Sequence, residues 1–269
     1  MILQWKATSL RHFTGDTRFR SSHELQDPFL ARLKTNITRP VAFFTREPIV
    51  IFIGLYLTLI YVLVFTFLDG FTYIFVDTYG FSPGLRGTAF LAIALGAILN
   101  TMTAPLFRRN YLKRLEKAQE ALDGDESETG RTIEPEIRLL PALISAPLFP
   151  ISLFWLGWTN YASITPWSDL IAACLFGFSL MGIFASSYQY VMDSYETYSA
   201  SALSSITFLR YMVAGGMVIA DMPMYKGIGV HWTLTLMGCL SLMLVPVPFL
   251  FWRYGCKIRA KSEFATSCE

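Results

Sequence analysis

Histidine is nearly missing from this 269-residue chain, which has three, His12, His23 and His231, far apart in sequence. None stands in an HExxH pattern, and no GxxxxGK[ST] loop is present to cradle a phosphate. Metalloprotease and P-loop chemistry are therefore not indicated. A membrane-embedded enzyme would lack an evident base and nucleophile, so no enzyme activity is expected. Cysteine is scarce too. Cys174 and Cys239 fall in apolar runs, Cys256 and Cys268 lie near the carboxyl end, and no CxxC spacing suggests a metal. No metal, cofactor or nucleic-acid partner is expected. The first 46 residues are polar and basic, so a cleavable leader is not expected there and the first apolar run is expected to direct insertion.

Charge is the scarcest commodity, at 16% of residues against 53% hydrophobic and a mean hydropathy of +0.43. That balance points to lipid. A crossing needs about 20 apolar residues, and six runs qualify: 49–75, 85–107, 139–158, 167–192, 197–222 and 229–252. The expectation is an all-α polytopic membrane protein: residues 1–46 a tail or linker remnant, 47–254 a six-helix bundle, and 255–269 a second tail. Of the 22 Lys and Arg, eight lie in residues 1–46, seven in the 108–138 loop and four after the last run. Basic residues collect in short cytoplasmic loops, so both termini are expected in the cytoplasm. There the sequon Asn36-Ile37-Thr38 would escape glycosylation. The loop's first part, RRNYLKRLEKAQEAL, alternates charge and apolar groups at helical spacing, predicting a short surface helix. DGDESETGR then predicts a flexible turn.

Well inside their runs stand Asp69 in the first and Arg210 in the fifth. Each costs roughly 2.5–3.5 kcal/mol at a bilayer centre and is expected to face the bundle interior or a wet cavity. Along the first run, Thr58, Tyr61, Phe65, Asp69 and Tyr73 recur at three- and four-residue steps and share one face. Phe178, Met181, Ala185, Gln189 and Met192 form a similar stripe on the fourth, which serves either as core or as a cavity wall. Asp69 would bind a proton or a cation, with Tyr61, Phe65, Tyr73, Phe178 and Gln189 lining the cavity. Arg210 is a strut or a coupling residue, and a direct Asp69–Arg210 ion pair stays open. Asp193 and Glu196 are read as anchors. Gly215 and Gly216 serve packing or a hinge, and prolines such as Pro246 permit kinks. The third and sixth runs look like scaffold facing lipid.

The stretches EPIVIFIGLYLTLIYVLVFTFLDGFTYIF, EPEIRLLPALISAPLFPISLFWLGWT, YQYVMDSYETYSASALSSITFLRYMVAGG and GVHWTLTLMGCLSLMLVPVPFLFWRYGCKIRAKSEFA resemble the carboxyl-terminal half of fungal major facilitator superfamily transporters, of the drug:proton antiporter type that includes multidrug, toxin and polyamine exporters. The resemblance spans about residues 10–265. It implies twelve helices in two halves of inverted three-helix repeats, with substrate held near the midplane. The first and fourth runs here would line that cavity. Relatives often carry an acidic residue where Asp69 stands, whereas Gln189 replaces an expected asparagine before Asp193-Ser194-Tyr195. By the resemblance the chain begins inside the central linker. The partners implied are the bilayer, small-molecule substrate and protons, and a complementary amino-terminal half or a second copy. The alternative is a half that transports nothing or that regulates full-length relatives.

Overall fold

Proline marks where the helices begin. Its fixed φ suits the first helical turn and its missing N–H is no loss there. In the computed structural model, which describes residues 38, 42–120, 135–260, 262, 264 and 265, Pro48 opens α1 (Pro48–Phe71), Pro83 opens α2 (Pro83–Glu120) and Pro166 opens α4 (Pro166–Tyr195). α3 (Leu140–Thr159) follows a 3-10 turn, Pro135–Leu139, and carries Pro141 in its first turn. α5 (Ser199–Ile228) ends at Gly229, whose φ of 83° is left-handed backbone that glycine adopts without strain. The last run is broken: α6 (Val230–Leu244) gives way to α7 (Pro246–Arg259), because Pro246 cannot donate into the preceding turn. The described residues contain no strand, as an all-α reading requires. Phe43 onward forms one unit, and Met1–Ala42 a separate one.

The spans compare with expectation as follows. Pro48–Asp77, Pro135–Thr159 and Val230–Arg259 are each long and apolar enough to cross a membrane, and so is a 52-residue stretch, Pro166–Met217. At 1.5 Å per residue that stretch would run about 78 Å, more than twice a bilayer core. It is two crossings, α4 and α5, separated by a break at Glu196, whose φ of 34° lies in the left-handed region. α2 is apolar only over Gly87–Thr103. Contrary to expectation, RRNYLKRLEKAQE forms no separate surface helix; it extends α2 without interruption to Glu120. The DGDESETGR segment lies outside the described residues. α1 is also not uniform, since Thr72–Asp77 continues it as a π-helical turn, the wider winding that re-aims side chains and recurs at functional sites.

Packing follows the pairs α1 on α5, α2 and α3 on α4, and α6 on α3. Between apolar helices in lipid, close contact rather than water exclusion holds the bundle. Phe67 of α1 stacks on Phe176 of α4 with ring centroids 4.0 Å apart, and Phe149 of α3 meets the same ring at 5.0 Å. α2 and α4 cross on glycine. A side chain at Gly96 would overlap the backbone of Cys174 and Phe178, and one at Gly177 the backbone of Ile93. Gly177→Leu should therefore separate α2 from α4, costing more than about 4 kcal/mol because neither backbone can yield. A thermal-unfolding midpoint in detergent within a few degrees of wild type would disprove that close crossing.

Polar networks close both ends of the bundle. At one end Asp169, fully buried at the start of α4, accepts hydrogen bonds from Thr159 (2.8 Å), Asn160 (2.7 Å) and Tyr79 (3.1 Å). Asn160 also donates to the carbonyl of Ile74 at 3.1 Å, tying the π turn to α3. Burial and the charge of Asp169 push the Tyr79 phenol, on the α1–α2 connection, up to about 12, so it remains a donor at neutral pH. At the other end Arg259 pairs with buried Glu136 at 2.8 Å, and Arg138 with Asp193 at 2.6 Å. Glu47 accepts hydrogen bonds from Tyr195 (2.8 Å) and Ser262.

Candidate functional site

The three- to four-residue stripe on α1 divides by depth. Thr58 turns inward: it is buried and donates to the carbonyl of Gly54 at 2.6 Å. Tyr61, Phe65 and Tyr73 are half-buried and Asp69 is exposed, so this edge of α1 borders open space in the six-helix unit.

Asp69 lines a cavity of about 460 Å³ with Thr72, Tyr73, Phe90, Met222 and Tyr225. Behind it stands a second carboxylate, Asp221 of α5, only 1% exposed. Its Oδ1 accepts a hydrogen bond from Thr66 at 2.7 Å, and Asp69 is near enough for its carboxylate to act on it electrostatically. With both groups ionised neither can donate, and Oδ2 of Asp221 has no hydrogen-bond partner among the described residues. The neighbouring wall is fixed: Tyr73 stacks on Tyr225 at 5.2 Å and 7°, and the Tyr225 hydroxyl lies against Gly70, where any side chain would collide with it.

Arg210 belongs to a different place. The structure does not bring it to Asp69; its guanidinium lies 4.4 Å from the ring centre of Tyr61, 5.1 Å from Tyr211, 5.4 Å from Phe184 and 5.7 Å from Tyr188. Asp69 follows Tyr61 by eight residues, about 12 Å along α1, which explains the separation. One nitrogen, Nη1, donates to the Tyr188 hydroxyl at 2.5 Å. The residue is 7% exposed, its Nε has no hydrogen-bond partner, and no carboxylate forms an ion pair with it among the described residues. Arg210 opens on a cavity of about 280 Å³ lined by Tyr61, Val64, Leu180, Met181 and Phe184.

Of the other sequence-derived residues, Phe178 is half-buried where Gly96 of α2 meets the α4 backbone, and Gln189 is exposed. Neither lines the two cavities just described. Met181 and Met192 are 37% and 41% exposed, so the α4 stripe is an open face rather than core. Asp193 is held by Arg138, whereas Glu196 is exposed at the helix break. Gly215 and Gly216 have open space where a side chain would extend, so no close helix contact in this unit accounts for them. α3 and α6 expose apolar side chains such as Ile151, Trp158, Leu236 and Met243.

Asp221 and Tyr225 were missed by sequence reasoning, although a signal existed. Arg210, Asp221 and Tyr225 are spaced by eleven and four residues, which keeps them on one face of a helix. Sequence reasoning also missed a Gly-x-Ser-x-Gly spelling at Gly80 to Gly84. It sits in the α1–α2 connection, with Ser82 exposed and accepting a hydrogen bond from the Leu85 amide at 3.4 Å. It lacks the strand-to-helix setting that makes such a serine a nucleophile.

Residues 11–220 match the model of the Major Facilitator Superfamily. An MFS-type transporter of Aspergillus flavus, kojT, is 46% identical over 264 residues, covering 98% of this chain and 46% of that protein. The major facilitator superfamily multidrug transporter FLU1 of Candida albicans is 33% identical over 98% of this chain and 42% of its own length. The efflux pump atB of Aspergillus terreus is 32% identical over 98% of this chain and 55% of its own. The chain thus spans about half the length of these relatives. No solved structure matches it. With apolar helices long enough to cross a membrane, paired in a bundle, and a family match over most of its length, the chain belongs to the Major Facilitator Superfamily of membrane transporters.

Proposed function

We propose that the chain forms the carboxyl-terminal half of a proton-coupled exporter of small drug-like, toxin or polyamine molecules. The observation that carries this reading is the carboxyl pair Asp69–Asp221, set in apolar helices beside a cavity of about 460 Å³. A carboxyl pair that gains and loses one proton as the cavity changes its exposure couples proton movement to alternating access. Similarity to proteins named as an efflux pump and a multidrug transporter supports the direction of transport. A complementary six-helix half would cover the open edge of α1, the exposed stripe of α4 and the Gly215–Gly216 face, completing a cavity between two bundles. The Lys and Arg distribution favours both termini in the cytoplasm, and family resemblance favours the plasma membrane. The Arg138–Asp193 pair would then anchor the cytoplasmic end.

The test is transport in proteoliposomes holding this chain together with the amino-terminal half of a relative, using labelled spermidine, rhodamine 6G and benzoate as probes. An imposed pH gradient should drive accumulation of a probe, and a protonophore should abolish it. Accumulation indifferent to the protonophore would remove proton coupling, and no accumulation of any probe would remove export.

A further inference from the structure

Arg210 is a buried cation whose surroundings supply no countercharge. Taking an ionised guanidinium out of water is costly unless it is paired and hydrogen-bonded. Four aromatic rings within 4.4–5.7 Å return part of that cost through cation–π attraction, worth up to about 2 kcal/mol when desolvated. They cannot serve Nε–H, which remains without an acceptor. The Tyr188 hydroxyl accepts from Nη1 and so keeps its own proton to give. The arrangement therefore has a positive charge, an unused N–H and an uncommitted O–H; Arg210 itself lines a cavity walled by Tyr61, Leu180, Met181 and Phe184, and the Tyr188 hydroxyl stands 2.5 Å from its Nη1. What completes it is an anionic oxygen attached to a flat apolar body.

We propose that the Arg210 cage is a substrate subsite for small aromatic weak acids, which bind as monoanions with the carboxylate or an equivalent acidic oxygen on Arg210 and Tyr188 and the ring against Tyr61 and Phe184. This rests on the exporter reading and narrows its substrate class. The size agrees: ligand pockets for drug-sized molecules run from roughly 300 to 1,000 Å³, and a cavity of about 280 Å³ suits a single ring. The charge is single because Arg210 is the one cation lining this cavity among the described residues. The site is also distinct from the carboxyl pair. Arg210 and Asp221 lie eleven residues apart on α5, about 16 Å along its axis, so anion and proton occupy separate places on one helix.

Equilibrium binding to the full 269-residue chain in lipid nanodiscs tests the subsite without needing transport. Radiolabelled benzoate should bind saturably, and benzylammonium, the same ring with the opposite charge, should not compete. Arg210→Gln should weaken benzoate at least about tenfold, the range for loss of a charge-assisted hydrogen bond. Arg210→Lys should retain part of the affinity, since it keeps the charge without the fork. Should Arg210→Gln unfold the chain, Tyr188→Phe keeps the ring and removes only the hydroxyl, and should weaken benzoate severalfold. No saturable benzoate binding, equal competition by benzylammonium, or unchanged affinity in both Arg210→Gln and Tyr188→Phe would overturn the subsite and leave Arg210 a strut between α1, α4 and α5. Saturable benzoate binding together with failed gradient-driven transport would instead retain the subsite and remove the export reading.

Discussion

Replacing Asp69 with asparagine should reduce gradient-driven export to the leak rate while leaving the bundle folded. Asp69 is exposed at the cavity, so an amide there loses neither packing nor a buried hydrogen bond. What it loses is the ability to take and release a proton. Asp69→Glu, which keeps that ability on a longer arm, should restore part of the activity. Asp221→Asn is the informative partner, because its amide can still accept from Thr66 and can now donate toward Asp69. With Asp221 neutralised, the pH dependence of export should change. The measurement is export rate against pH for the wild-type assembly and the two variants. Identical profiles for wild type and Asp221→Asn would show that Asp221 takes no part, and full export by Asp69→Asn would remove the pair from the mechanism.

Arg259→Ala should be among the most destabilising single substitutions, by about 3–5 kcal/mol, because it removes a charged partner from buried Glu136. The two side chains are 4% and 8% exposed, and their contact joins α7 to the 3-10 turn before α3. Gly255 packs directly on the same carboxylate, with the Tyr190 hydroxyl beside it, so water cannot readily take the place of the guanidinium. The double variant Glu136→Gln/Arg259→Met should recover most of the loss, since a buried ion pair replaced as a unit is often close to neutral. The surface-exposed pair Arg138–Asp193 provides the contrast: its side chains are 30% and 35% exposed, and breaking it should cost no more than about 1 kcal/mol. Thermal-unfolding midpoints in detergent for Arg259→Ala, the double variant and Arg138→Ala check the ranking. An Arg138→Ala loss as large as that of Arg259→Ala would contradict it.

Legibility from sequence varied with the range of the interaction. The apolar runs and their proline starts are local properties, so the helices of the bundle were readable from composition and spacing. The stripe Tyr61–Phe65–Asp69–Tyr73 was readable too, because helical period alone puts those residues on one face. Thr58 shares the period yet turns inward, since its hydroxyl bonds back to the Gly54 carbonyl. RRNYLKRLEKAQE was read as helical, and Lys, Arg, Leu, Glu, Ala and Gln all favour a helix; only its separation from the apolar run before it was misread, since α2 runs through without a break.

The amino-acid sequence by itself determined that this chain lies in a membrane as a bundle of helices and belongs to a transporter superfamily, because both follow from local hydrophobicity and from residue identity along the chain. Only the tertiary structure decided which charges meet. It set Asp221 of α5 behind Asp69 of α1 and left Arg210 among aromatic rings. Such pairings depend on the register of one helix against another, and Gly70, Gly96 and Gly177 set that register by close contact that no single helix encodes.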